Sequence, residues 1–166
     1  MSKIPKLLAA VFWLFSAAVS HADLAVPEGR VLLTVSGSIS TTNTDESAVF
    51  DRAMLQQLDW REIETHTSFT QGPQVFAGPT LSSLLEAVGS DGALLTATAV
   101  NDYAVEIPAE HAEAHNVILA MDMNGKPMRI RDKGPIWVVY PLGAADAARK
   151  PFDNEMIWQL NRIAVQ

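Results

Sequence analysis

The chain contains no cysteine among its 166 residues. That excludes disulfide staples, a thiolate nucleophile and any protein thiolate ligand to a soft metal. Positive charge is also scarce: 12 Lys and Arg stand against 19 Asp and Glu, a formal net charge of −7. An acidic surface disfavours nucleic acid and anionic lipid as partners. Aromatic residues make up only 7% of the chain, so each one outside an apolar run is informative. Beyond the N-terminus no apolar run approaches the ~20 residues that a membrane-spanning helix needs. There is no internal repeat, no dividing linker and no phosphate-cradling glycine loop.

What is there begins with a leader. Lys3 and Lys6 precede a mostly apolar run over residues 7–19, and Ser20-His21-Ala22 supplies small residues at the cleavage positions. Residues 1–22 are therefore expected to be a signal peptide cleaved after Ala22, delivering residues 23–166 to the periplasm as one domain. That length buries a core without staples.

Residues 30–39 are rich in β-branched side chains and predict a first strand. Val49, Phe50, Ala53, Met54 and Leu58 recur at helical spacing, which predicts a helix over 46–58 capped by Thr44 or Asp45. Residues 61–66 alternate as a strand does, 67–73 form a polar loop carrying Phe69, and Val75-Phe76 is a short strand. Thr80 caps a second helix, with Leu81, Leu84, Leu85 and Val88 on one face and Gly89 after its end. Two hairpins are expected: 94–100 with 103–107 across Asn101-Asp102, and 117–123 with 128–130 across Asn124-Gly125. Residues 136–140 are apolar throughout and read as a central strand buried on both faces. Short helices are expected over 109–115 and 153–160, with 162–165 closing an α+β chain. Trp137 and Trp158 lie in apolar runs and read as core. His111 and His115 stand four apart, but Glu110 and Glu113 do not recreate H-E-x-x-H, so a solvated helical face is the simpler reading.

Three ordered segments carry a family likeness. FAGPTLSSLLEAVG (76–89) resembles the F-x-G-x-x-L-x-x-L-L-x-x-x-G helix start of molybdopterin-oxidoreductase domains. AVNDYAVEIP (99–108) is similar to the A-x-N-D-Y hairpin of the short, single-domain branch. NGKPM (124–128), RDKGP (131–135) and VYP (139–141) resemble that branch's N-G-x-x-M…D-K-G-P…Y-P signature. The resemblance is to the sulfite-oxidase family. It implies an α+β, single-domain sulfite-oxidase-type fold with mixed β-sheets and a few short helices.

Metal-holding members carry a molybdenum-ligating cysteine on the loop before the F-x-G segment. Here Thr65-His66-Thr67-Ser68 stands where a T-C-x-S-like stretch would be, and hydroxyls do not replace a thiolate at a soft metal. Within the family the chain resembles the periplasmic pterin-binding group called PruR. That likeness implies a non-catalytic sensor that reversibly binds a reduced pterin, such as tetrahydromonapterin, without molybdenum. It also implies a protein partner, the periplasmic region of an inner-membrane cyclic di-GMP cyclase or phosphodiesterase. Two alternatives stand beside it: a molybdopterin-dependent oxidoreductase with atypical metal ligation, and a scaffolding module with an occluded pocket.

A pterin presents adjacent N–H donors that suit a carboxylate, a 4-oxo group that needs a donor, and flat faces that need a clamp. Asp102 and Asp132 are the carboxylate candidates; Asn101, Arg131 and Lys133 are the donors. Phe69 and Tyr103 are the stacking candidates, and Thr67, on the loop where metal-holding members carry their cysteine, is a further candidate binding residue. Asn-Asp and Arg-Asp-Lys-Gly are also ordinary turn residues, so turn chemistry alone stays open for both.

Overall fold

A computed structural model describes residues 24–166; the leader expected over residues 1–22 lies outside the described residues. The elements run β1 (Leu33–Gly37), β2 (Ser47–Phe50), α1 (Arg52–Gln56), β3 (Trp60–Thr65), β4 (Gln74–Pro79) and α2 (Leu81–Ala87). They continue with β5 (Leu94–Ala99), β6 (Ala104–Pro108), α3 (His111–Ala114), β7 (Ile118–Ala120), β8 (Asp122–Met123) and β9 (Lys126–Pro127). A single 3-10 turn at Ile130–Asp132 precedes β10 (Trp137–Val139), α4 (Ala144–Ala147) and β11 (Leu160–Val165).

The strands form a five-stranded sheet in the order β2-β1-β11-β5-β6, a four-stranded sheet β3-β4-β8-β9 and a two-stranded ladder β10-β7. β1 and β11 are parallel and the remaining pairs antiparallel, so the large sheet is mixed, as the resemblance implied. Alternation sets the large sheet's inner face: Leu33 and Val35, Leu95 and Ala97, and Ile163 and Val165 are all buried. α2 packs Leu81, Leu84 and Leu85 inward and begins where Thr80 Oγ1 accepts the Ser83 N–H at 3.2 Å.

The β7/β10 ladder separates two cores. Ile136, Val138 and Tyr140 alternate into the larger cluster, as do Val117, Leu119 and Met121. Trp137 and Val139, with Ile118 and Ala120, face a smaller cluster completed by Phe76 and Met128. This is why 136–140 reads as apolar throughout: each face of that strand has its own core. β4 crosses β7 so closely that a Cβ on Gly78 would collide with the Leu119 carbonyl. The glycine of the F-x-G segment thus sets a backbone crossing.

Three expected elements differ. The helix over 46–58 is instead β2 followed by α1, because residues 47–50 pair with β1 and Asp51, not Thr44 or Asp45, is the cap, accepting the Met54 N–H at 2.9 Å. Asn124-Gly125 does form the tight turn, with both residues at positive φ (51° and 72°). Its hairpin is only β8–β9, because β7 takes β10 as its partner and Met128 is drawn into the smaller core. The helix over 153–160 does not form. There the backbone bonds sideways, with Val138 N donating to Ile157 O (2.9 Å) and Leu160 N to Ile136 O (3.0 Å). α4 is a four-residue addition that the sequence reading passed over.

Candidate functional site

Phe69 stands between two neighbouring hollows. The first, about 430 Å³, has Phe69, Tyr103 and Trp158 on its walls, Asn101, Asp153, Asn154 and Gln159 as its polar groups, and Ala99, Met156 and Ile157 beneath. The second, about 420 Å³, runs from Phe69 past Thr70, Gln71 and Gln74 to Met123, Arg131, Asp132 and Lys133.

The loop after β3 is built to aim Phe69. Thr67 Oγ1 accepts the Phe69 N–H at 3.2 Å and bonds the Thr70 hydroxyl at 2.9 Å, closing a local hydroxyl turn. The Phe69 ring then meets Trp158 edge-on at 5.1 Å and Trp137 at 6.2 Å. Thr67 is buried behind the ring and supports it from outside both hollows.

Trp158 is positioned by its neighbours. It makes an isolated bridge to Trp137, and Gln159 follows in the left-handed region at φ 56°. Gln159 ties three segments together. Its N–H donates to Lys133 O (3.1 Å), its Nε2 donates to Ile130 O (2.9 Å), and its carbonyl accepts from Val100 N (2.9 Å). The result leaves Trp158 37% exposed on the hollow's wall, so it is a wall residue and not core. Trp137 is fully buried as expected.

Lys133, also left-handed at φ 73°, ends the 3-10 turn and holds its ammonium 4.4 Å from the Trp158 ring centre. It is 5.3 Å from the Trp137 centre and 5.8 Å from that of Phe69. Three rings attract one cation, which fixes the positive end of the 130–133 turn at the border of the two hollows.

Of the expected site residues, Phe69, Asn101 and Tyr103 gather at the first hollow, and Arg131, Asp132 and Lys133 join Phe69 at the second. Asp102 is in neither. It sits at φ 65° in the β5–β6 turn, its side chain 81% exposed and paired with Arg162. Asp132 accepts from Arg129 Nε at 2.6 Å. That bond, with the charges of Arg129 and Arg131 behind it, holds its carboxyl below the usual carboxylate range.

The carboxylate at the aromatic hollow is Asp153, which accepts from Ser68 Oγ at 2.9 Å through Oδ1 and keeps Oδ2 available. Sequence reasoning missed Asp153, Asn154 and Gln159 because they fell in an expected helix, and it read Trp158 as core because of its apolar neighbours. The Pro151-Phe152-Asp153-Asn154 run was the available signal, since Pro, Asp and Asn mark turns.

Behind the 151–155 turn, Phe152 stacks on Tyr140 at 4.3 Å and touches His115 at 4.6 Å. His111 Nδ1 lies 3.0 Å from the Tyr140 hydroxyl, and burial, with Glu155 adding to it, pushes that phenol up from its ordinary pKa. The two histidines thus pack in an aromatic cluster rather than on a solvated face.

The loop where the family's cysteine would lie offers no soft ligand. Thr65 is buried; its Oγ1 accepts from Leu142 N at 2.6 Å and faces the Tyr140 and Leu142 carbonyls at 3.0 and 3.1 Å. That hydroxyl is fully used by backbone. His66 is a lone imidazole, and no group of three His, Cys, Asp or Glu gathers among the described residues. These donors do not fit a molybdenum centre that takes a ligand from the protein. The aromatic walls, a carboxylate and carboxamides do fit a planar heterocycle with an N–H edge.

The family described as "Oxidoreductase molybdopterin binding domain" matches residues 45–150. Among solved structures, the sulfane dehydrogenase SoxCD from Paracoccus pantotrophus is similar at a TM-score of 0.58 and 20% sequence identity. The likeness covers 80% of this chain and 37% of that one. At that identity it shows a shared fold. No curated protein sequence matches the chain significantly.

Proposed function

The chain belongs to the oxidoreductase molybdopterin-binding domain family, and from that premise we propose that it is a non-catalytic binding protein for a reduced pterin. The observation that carries the reading is the aromatic hollow beside the cysteine-free loop, with Asp153 and three carboxamides around it. Phe69, Trp158 and Tyr103 would clamp the bicycle. Asp153 would accept from its amino edge, and Asn101, Asn154 or Gln159 would donate to the 4-oxo group. A ligand of under about twenty heavy atoms reaches roughly micromolar affinity or somewhat tighter, which suits reversible sensing.

The wider proposal keeps the periplasm as location, on the strength of the leader expected from the sequence, and a membrane-bound cyclic di-GMP enzyme as partner. Signalling by such a protein requires the partner to prefer the loaded or the empty form. The reading is tested by anaerobic titration with tetrahydromonapterin, following tryptophan fluorescence. Saturable quenching in the micromolar range is expected; none up to about 1 mM would end the proposal. Stoichiometric molybdenum in protein purified from its native compartment would replace it with the oxidoreductase alternative.

A further inference from the structure

Six large hydrophobic side chains are exposed among the described residues, and five of them line two hollows. Tyr103 and Trp158 belong to the site above. Val31 (44% exposed), Val100 (48%) and Ile130 (47%) line a separate groove of about 700 Å³ on the other side of the 130–133 turn. Three exposed aliphatic side chains around one groove offer an apolar surface for another molecule to cover.

Its charge runs against that of the chain. In a protein of net charge −7, the groove is lined by Arg30, Arg129 and Arg131 and by no acidic residue. Arg129 is committed to Asp132 at 2.6 Å. Arg131 approaches the same carboxylate only to 3.9 Å, and Arg30 makes no ion pair among the described residues. Two guanidinium groups are therefore available beside three aliphatic side chains.

A third feature narrows the occupant. Asn161 is the extra residue of a β-bulge where β11 pairs with β5, between the Leu160↔Ala99 and Arg162↔Thr98 partners. Bulges redirect a side chain, and this one lines the groove. Its Oδ1 is buried with no hydrogen-bond partner, a costly state that rotation of the side chain toward an incoming N–H would relieve.

We propose that this groove docks an acidic, aliphatic-rich segment of a partner protein. A polypeptide supplies all three complements at once: carboxylates for Arg30 and Arg131, apolar side chains for Val31, Val100 and Ile130, and a backbone N–H for Asn161. A free inorganic anion lacks the donor and the apolar part. A second copy of this chain, meeting the same patch across a two-fold axis, would set arginine against arginine. The groove does not depend on the pterin reading. A coupling would rest on it: the turn carrying Ile130 and Arg131 also carries Lys133, so a ligand that moves Lys133 would reshape the groove.

The test is fluorescence anisotropy with a labelled peptide alternating glutamate and leucine, against a lysine–leucine peptide of equal length. Saturable binding of the acidic peptide alone is expected, weakened about tenfold by Arg30→Glu and by Ile130→Asp, with thermal melts confirming that both variants fold. Binding that either variant leaves intact, equal binding of the lysine peptide, or no binding at all overturns the proposal. So does full competition by free citrate, which would make the site an anion site. Micromolar self-association in sedimentation, lost in Val100→Asp, would instead assign the groove to a second copy. Tryptophan titration with pterin is a separate readout, so the two proposals can fail independently.

Discussion

Phe69 and Trp158 face the same hollow but carry different structural duties. Phe69 packs against both cores, whereas Trp158 is 37% exposed and leans on its neighbours from outside. Trp158→Ala should therefore weaken pterin binding about three- to tenfold, the range of a lost aromatic contact, with little change in melting temperature. Phe69→Ala should lower both; paired titrations and thermal melts separate the two patterns. Asp153→Asn removes a charged acceptor while keeping shape, and a loss of about tenfold in affinity is expected. Asp102→Asn, at a residue spent on Arg162, should leave affinity unchanged. Equal effects from the two substitutions would contradict the placement of the carboxylate.

The elements are short, so their ends carry much of their stability. α1 has five residues, and Asp51 holds its start: Oδ1 accepts from Met54 N, and Oδ2 from Gly29 N (2.8 Å) and Glu28 N (3.0 Å). The Met54 bond first, then those from Gly29 and Glu28, hold the carboxyl below its ordinary value. A carboxylate whose folded pKa is depressed stabilises the fold above its unfolded pKa of about 3.9. That contribution is lost as pH falls through the folded value. Asp51→Asn should therefore lower the melting temperature at neutral pH and flatten its decline below about pH 4; melts across pH 7 to 2.5 check both. Asp132 follows the same sign through Arg129, so the 130–133 turn should loosen in acid.

Element boundaries also show where sequence patterns mislead. Phe50 and Met54 stand four apart and both are buried, which satisfies a helical period. Ala48 and Phe50 stand two apart and are buried as well, which satisfies a strand. Short apolar runs fit both periods, and pairing with β1 decided between them. Thr80 and Asn124-Gly125 were legible because capping and tight turns are settled within three or four residues.

At the scale of the whole molecule, β7 and β10 hold two cores apart, and β4 passes so tightly over β7 at Gly78 that a Cβ there would meet the Leu119 carbonyl. Gly78→Val should lose cooperative folding, since the colliding atoms are backbone. Gly72→Ala, where a Cβ meets nothing within 4 Å, should cost only the strain of its positive φ of 66°. Urea unfolding followed by tryptophan fluorescence ranks the two.

By itself the sequence determined the missing thiolate, the Thr80 cap, the Asn124-Gly125 turn and the burial of 136–140, because composition and short-range spacing settle each of these, while the family likeness rested on its ordered motifs. Only the tertiary structure decided that Asp153 and not Asp102 stands at the hollow, that Trp158 faces outward, and that β7 pairs with β10. The site joins residues 69, 99–103, 130–133 and 153–159. Which side chains meet across such separations depends on strand pairing and core packing, and no local period in the chain encodes those.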